Sequence, residues 1–395
     1  MVSSSSLKVA EHNSPTADLP KLSIYQTHQW PEVAKLWAEL DEVSPYSSFY
    51  LSTEWTTAWL EVFGEVLQPE ILVFEHENIT TGICLLVRST ERRGPFHVKR
   101  IYLNTVGGDI ADRTLMEFNN LLCRTGWEEN VAKALAAHLQ SLEWDEFAVD
   151  GISPGPILDC LRVSGFSQLP SVISAMPSYY VNLRQLRQSG TSYENSLSSN
   201  SREQLRRSLK RYATVGEVRV EVAAELSRAE KLFDEMCAMH QSRWQKKGET
   251  GAFGPGRRLE FHRALIRHAF AKGGIQLVRV TAGEETVGIL YNFVKSGKVY
   301  FFQSGFNYSG DKHLKPGLVT HVLAVTYCLN AGFTEYDFLA GDAQYKRSLA
   351  KDCRQMEWVV FARPRTKLVV IERLRAIKRR LRSVTRNPRS SWLRH

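Results

Sequence analysis

Cysteine is sparse and scattered in this chain. The 395 residues hold six, Cys84, Cys123, Cys160, Cys237, Cys328 and Cys353, with no C-x-x-C spacing and no Cys/His cluster. That pattern argues against a structural zinc or other metal site and against a disulfide framework, so free thiols in a reducing, cytoplasmic compartment are expected. Long apolar runs are absent too. No stretch of eighteen apolar residues occurs, and no segment reads as a membrane span. Residues 1–20 are Ser-rich and lack a basic region followed by an apolar stretch, which predicts a disordered lead rather than a secretory signal. Net charge is also missing from most of the chain. Of the formal +9, the segment Arg363 to His395 supplies twelve Lys or Arg against the single acid Glu372, and residues 1–362 carry 39 basic and 41 acidic side chains.

The basic tail has a pattern. Val370, Leu374, Ile377, Leu381 and Val384 recur at helical spacing, with Arg373, Arg375, Lys378, Arg379, Arg380 and Arg382 between them. Residues 366–395 therefore read as a basic amphipathic helix ending near Pro388. Three partners stay open: the body of the chain itself, an anionic membrane surface, or an acidic protein. Nucleic acid is disfavoured, because no aromatic-rich or zinc-finger pattern accompanies the charge.

With 43% hydrophobic residues the chain is long enough for two cores, and its halves look alike. Ile71 to Val87 and Leu277 to Phe293 each read as strand, turn, strand, with Gly82 and Gly288 at matching places. Each pair leads to a further strand, Arg100 to Asn104 and Val299 to Gln303. A helix follows in each half, Trp127 to Leu139 and Leu318 to Asn330, and a closing strand, Glu146 to Val149 and Glu335 to Leu339. The recurrence predicts a duplicated α/β unit of mixed, mostly antiparallel sheet flanked by helices. The expected division is a unit over 21–185, a linking basic helix over 186–215, a second unit over 216–365, and the tail over 366–395. In the linker, Arg202, Arg206, Arg207, Lys210 and Arg211 fall on a helical pattern that Asn200 or Ser201 could cap. It reads either as a solvated connecting helix or as a wall for an anionic acceptor.

The chemistry-bearing stretch is Tyr336-Asp-Phe-Leu-Ala-Gly-Asp-Ala-Gln-Tyr-Lys-Arg-Ser-Leu-Ala350. It reads as a short buried strand that breaks at Gly341 and restarts as a polar helix carrying Asp342, Tyr345 and Lys346. Upstream, the basic loop Ser309 to Gly317 feeds the apolar helix from Leu318. Free amides at Gly317, Leu318 and Val319, the helix dipole, and Lys312 and Lys315 make that entrance an anion site. Beside a phenol, an acid and an amine, it points to group transfer from a phosphate-bearing carrier. Phe302 and Gln303, on the strand facing this loop, could present a free edge to the carrier.

This order resembles the GNAT acyltransferase fold over roughly residues 22–365. It is most similar to the double-GNAT proteins, which include Fem-type peptidoglycan aminoacyltransferases and CelD-like acetyltransferases of cellulose and exopolysaccharide loci. The likeness rests on the basic helix before Val218 to Val222 and on Lys315-Pro-Gly317, helix, Gly332-Phe, Tyr336-Asp-Phe-Leu, Gly341-Asp342, Tyr345-Lys346. The glycine-rich pyrophosphate loop of GNAT enzymes is not present. The resemblance implies an N-acyltransferase using acetyl-CoA or another acyl-CoA on an amine of a sugar, amino acid or cell-envelope precursor. Within the same resemblance, an aminoacyl-tRNA-dependent Fem-type transferase and a non-catalytic scaffold of polysaccharide synthesis are the alternatives. It implies Tyr345 as the phenol that protonates the thiolate, Asp342 as base and Lys346 as a brace for negative charge, with Asp337, His240 and Trp244 near the acceptor. Quieter roles stand beside these: Asp342 as a helix cap or as the i,i+4 partner of Lys346, Tyr345 and Trp244 as packing, and His313 and His321 as structural histidines. In the first half, Val149 to Gly155 lacks a Tyr-Lys pair, and Val106-Gly-Gly-Asp109 is its glycine-rich loop. The first half is therefore expected to supply scaffold and acceptor contacts, and the second half the chemistry.

Overall fold

The structure is a computed structural model that describes residues 19–104, 114–165, 169–246, 248, 251–254, 256–308, 311 and 313–385; the side chains of 169–171 and 378–385 are outside the description. The loop Val106 to Asp109, Lys312, and the side chains of Leu381 and Val384 therefore lie outside the described residues.

The first half runs β1 (Lys21–Tyr25), α1 (Trp30–Val43), α2 (Thr53–Leu67), β2 (Glu70–His76), β3 (Ile79–Arg93), β4 (Phe96–Leu103), β5 (Leu122–Cys123), α3 (Glu128–Ser141), β6 (Glu146–Ile152), α4 (Pro156–Val163) and β7 (Leu169–Val181). Short helices α5 (Leu183–Gln188) and α6 (Tyr193–Ser196) and the basic helix α7 (Ser199–Val215) connect to the second half. That half runs β8 (Val218–Val222), α8 (Leu226–Gln245), α9 (Arg257–Ala269), β9 (Ile275–Ala282), β10 (Glu285–Lys295), β11 (Lys298–Phe306), α10 (Pro316–Asn330), β12 (Glu335–Ala340), α11 (Gln344–Leu349), β13 (Asp352–Ala362) and α12 (Thr366–Thr385). The linker is thus three helices rather than one, and α7 is capped by Ser198, whose hydroxyl accepts the Ser201 amide at 3.1 Å, instead of by Asn200 or Ser201.

One continuous sheet joins both halves in the order β1-β2-β3-β4-β6-β13-β7-β12-β11-β10-β9-β8, with β5 on β3. The order reads the same from either end. Each half is an antiparallel meander whose fourth strand pairs in parallel with the strand after a crossover helix, β4 with β6 and β11 with β12. Tight turns suit this plan. Glu77 and Asn78 take left-handed backbone between β2 and β3, and Ser296 and Gly297 do so between β10 and β11, the conformation a two-residue hairpin favours.

The repeat is visible at Gly82 and Gly288. A Cβ on Gly82 would lie 2.6 Å from Val131 of α3, and one on Gly288 would lie 2.6 Å from Thr320 of α10. Both glycines sit where the crossover helix presses on the third meander strand, so equivalent positions answer the same close approach.

The centre of the sheet departs from the expected division. β7 belongs by sequence to the first unit but pairs with β12, while β13 belongs to the second and pairs with β6. β7 and β13 then pair with each other from Asp352↔Tyr180 to Ala362↔Leu169. The boundaries 21–185 and 216–365 follow the chain; the hydrogen bonds exchange the two closing strands. Below the sheet one core continues across both halves, with Trp55 edge-on to Phe261 at 4.9 Å and Phe49 stacked on Phe293 at 4.5 Å. Separate cores lie on the other face under α3 and α4, and under α10.

Substituting Gly82→Ala forces its new methyl into the stiff Val131 side chain and should destabilise the protein by about 1–3 kcal/mol. Urea melting checks this, with Gly155→Ala, where a Cβ meets nothing within 4 Å and the backbone is extended, separating crowding from the loss of a glycine.

Candidate active site

β11 and β12 are paired only from Lys298↔Glu335 to Tyr300↔Asp337. Beyond that point no pairing between them is found among the described residues, and the wedge they leave holds a cavity of about 550 Å³. Its walls are Phe301 to Ser304 and Phe306 of β11, Gly317, Leu318 and His321 of α10, Tyr345 and Lys346 of α11, and Met239, His240, Arg243 and Trp244 of α8. The first half closes it with Tyr50, Leu115 and Glu117.

The floor is a bulge in β12. Its register on β7 shifts between Asp337 and Ala340, and Leu339 adopts φ +62°, a left-handed conformation that an ordinary side chain takes only when its surroundings impose it. Three charged side chains do so. The buried Asp337 carboxylate accepts the Leu339 amide at 2.6 Å and the Ser178 hydroxyl at 2.7 Å. The Lys346 ammonium donates to the carbonyls of Leu339 and Ala340 at 2.8 and 2.7 Å. Glu117, arriving from the first half, accepts the Ala340 amide at 2.6 Å.

Burial sets the electrostatics. It raises the Glu117 carboxyl to about 7, with the neighbouring Asp337 charge adding to the rise and the Ala340 amide and Lys346 opposing it. Burial likewise lifts Asp337 to about 6 against the pull of Arg354. Lys346 is pushed down by desolvation, while Glu117 and Asp337 restrain the shift. His321 is held near 3 by burial and by the Lys346 charge, so its imidazole is neutral, and it stacks on the Tyr345 ring at 5.8 Å. The Tyr345 phenol is pushed up to about 12 by burial. The cavity therefore joins a carboxyl poised near neutrality, a neutral imidazole, a phenol and an ammonium.

The expected residues divide. Tyr345, Lys346, Gly317, Leu318, Phe302, Gln303, His240 and Trp244 all line the cavity. His240 is clamped: its Nδ1 faces the Ser304 carbonyl at 3.2 Å and its Nε2 accepts the Ala252 amide at 3.3 Å, so it serves as a brace. Gln303 folds back to accept the Ser304 amide at 3.0 Å, so the chain itself occupies part of the expected free edge. Asp337 lies beneath the floor rather than in the wall. Asp342 is outside the cavity, exposed and paired with Arg347, while the Tyr179 hydroxyl donates to it at 3.0 Å; these partners hold its carboxyl below the usual range. It neither caps α11 nor meets Lys346, which is buried in the other direction.

The anion site is narrower than expected. Lys315 is exposed, and its amide is taken by the buried Ser208 hydroxyl of α7 at 3.0 Å. Val319 is a core residue whose amide donates to the Lys315 carbonyl at 3.0 Å, so Gly317 and Leu318 carry the free amides of the first turn, after Pro316. Arg211 of α7 pairs with Asp311 at this entrance; α7 braces the loop and is no wall of the cavity. Sequence reasoning missed Glu117, an isolated acid in an irregular segment with no motif around it.

Residues 199–347 match the family model described as an acetyltransferase (GNAT) domain. The fold is similar to the crystal structure of FemX, at a TM-score of 0.54 and 12% identity, covering 82% of this chain and 95% of that one. A conserved protein of unknown function from Bacteroides thetaiotaomicron aligns at 0.51 and 9%, covering 87% and 100%. The C-terminal domain of an Agrobacterium fabrum protein, provisionally assigned as a lysylphosphatidylglycerol synthetase, aligns at 0.50 and 10%, covering 87% and 94%. At these identities the likeness is one of fold. No curated protein sequence matches the chain.

Lys346→Met removes the donor from two carbonyls at the bulge and should destabilise the protein by about 2–4 kcal/mol. It also removes the cation that holds Glu117 down, so an isotope-labelled Glu117 carboxyl, followed by NMR, should titrate at higher pH than in the parent.

Proposed function

We propose that this chain is a GNAT-type acyltransferase with a Fem-like tandem fold and that it transfers an acyl group from acyl-CoA to an amine of a sugar, amino acid or cell-envelope precursor. The observation that carries the reading is Glu117, a carboxyl raised to about 7 in a wedge that opens beside the first turn of α10. A base for an ammonium group needs a proton affinity near the working pH, which a solvated carboxylate lacks.

In this reading the amides of Gly317 and Leu318 hold a donor phosphate and the thioester enters the wedge. The acceptor ammonium gives a proton to the Glu117 carboxylate. The freed amine attacks the carbonyl carbon, a C–N bond forms and the C–S bond breaks; the departing thiolate takes a proton from the Tyr345 hydroxyl, and the second proton of the attacking nitrogen passes to that phenolate and restores it. Lys346 keeps the bulge in place and adds positive charge beside the developing oxyanion. Tyr345 and Lys346 keep the roles first expected of them, and Glu117 replaces Asp342 as base. The chemistry then belongs to both halves rather than to the second alone.

Acetyl-CoA should release heat on binding the parent protein and should bind Glu117→Gln equally well. The variant should turn over about 10²–10⁴-fold more slowly. Since the base must be ionised, the parent's kcat/KM should climb with pH up to about 7 and then level off, a rise the variant should lack. Parent-like turnover by Glu117→Gln would remove the carboxyl from the mechanism. Failure of acetyl-CoA to bind, with transfer from aminoacyl-tRNA instead, would change the carrier.

A further inference from the structure

α12 is anchored at its start, and its described side chains are largely exposed after Ile371. The Lys367 ammonium donates to the His97 carbonyl at 2.9 Å and pairs with Asp145 at 2.5 Å, and Ile371 is buried. One turn later the packing stops: Leu374 and Ile377 are 52% and 54% exposed. Helical spacing places these two on one stripe with Val370 and, in the sequence, Leu381 and Val384. A terminal helix packed on its own domain buries such a stripe. Here Arg373 and Arg380 border it on one side and Lys378 on the other by helical position.

We propose that α12 is a docking helix for an anionic lipid bilayer, lying in the interface with Leu374 and Ile377 among the acyl chains and its cations at the headgroups. The charge distribution selects this occupant. Twelve basic groups against one acid stand on a body that is close to neutral, so attraction to an anionic surface is concentrated at the tail. A nucleic acid would match the charge but has no use for an aliphatic stripe, whereas an interfacial helix requires both. Among the described residues no helix is long and apolar enough to cross a membrane, so the contact is peripheral. β13 runs from Asp352, just after α11, to Ala362, shortly before α12. Its eleven residues span about 36 Å at the usual strand rise. The docking helix thus leaves from the strand end remote from the cavity.

The test uses the full chain and vesicles of either phosphatidylcholine alone or three parts phosphatidylcholine to one part phosphatidylglycerol. The parent should sediment with the anionic vesicles, not with the neutral ones, and should be released as salt is raised. The double variant Leu374→Asp, Ile377→Asp changes exposed positions only. It should partition at least tenfold more weakly with its melting temperature unchanged. Parent-like partitioning of the double variant, equal binding to neutral vesicles, or tight binding to a single-stranded RNA that the double variant retains in full would each overturn the proposal. The last outcome would assign the tail to nucleic acid.

Discussion

The left-handed backbone of Leu339 is held from three directions, and the cavity exists because it is held. Pairing ends at Tyr300↔Asp337, where β11 bulges at Phe302 against β10 and β12 bulges at Leu339, so the two strands part. The β12 bulge turns the strand end aside and presents two carbonyls and an amide to side chains from distant parts of the chain. Asp337 secures it from within the strand, Lys346 from the following helix, and Glu117 from the other half of the molecule. Ser178 on β7 and Arg354 on β13 support Asp337 in turn, so both exchanged strands contribute to the floor.

Those same contacts shape the acid–base behaviour. In water, Glu117 and Lys346 would be fully ionised and indifferent to one another. Enclosed by aromatic walls, each ion lacks hydration and depends on its neighbours, so Glu117 rises while Lys346 falls. His321 is kept neutral by the same ammonium. A single lysine therefore serves as backbone clamp and as the local source of positive potential, and neither role can be altered without the other.

Much of this was legible in residue order. The paired strand-turn-strand segments, their matching glycines and the crossover helices all rest on short-range pattern, and the structure places them as expected. The polar helix after Gly341 was legible as well, with Tyr345 and Lys346 in the cavity. Asp342 is adjacent to them in sequence, but Arg347 and Tyr179 capture it at the surface. Glu117 could not be found this way: its proton affinity comes from burial against residues more than two hundred positions later. The swap of β7 and β13 was hidden for a related reason, since a strand's composition fixes its depth in a sheet but not which partner it takes.

That swap removes modularity from a protein that looks modular. The stretch matching the acetyltransferase domain ends before β13 and begins after β7, and it excludes Glu117. Cut out as a fragment, it would bare the edge of β12 and forfeit the carboxylate that steadies Ala340. Through two exchanged strands each repeat completes the sheet of the other, so a cut between them leaves neither with a closed set of partners.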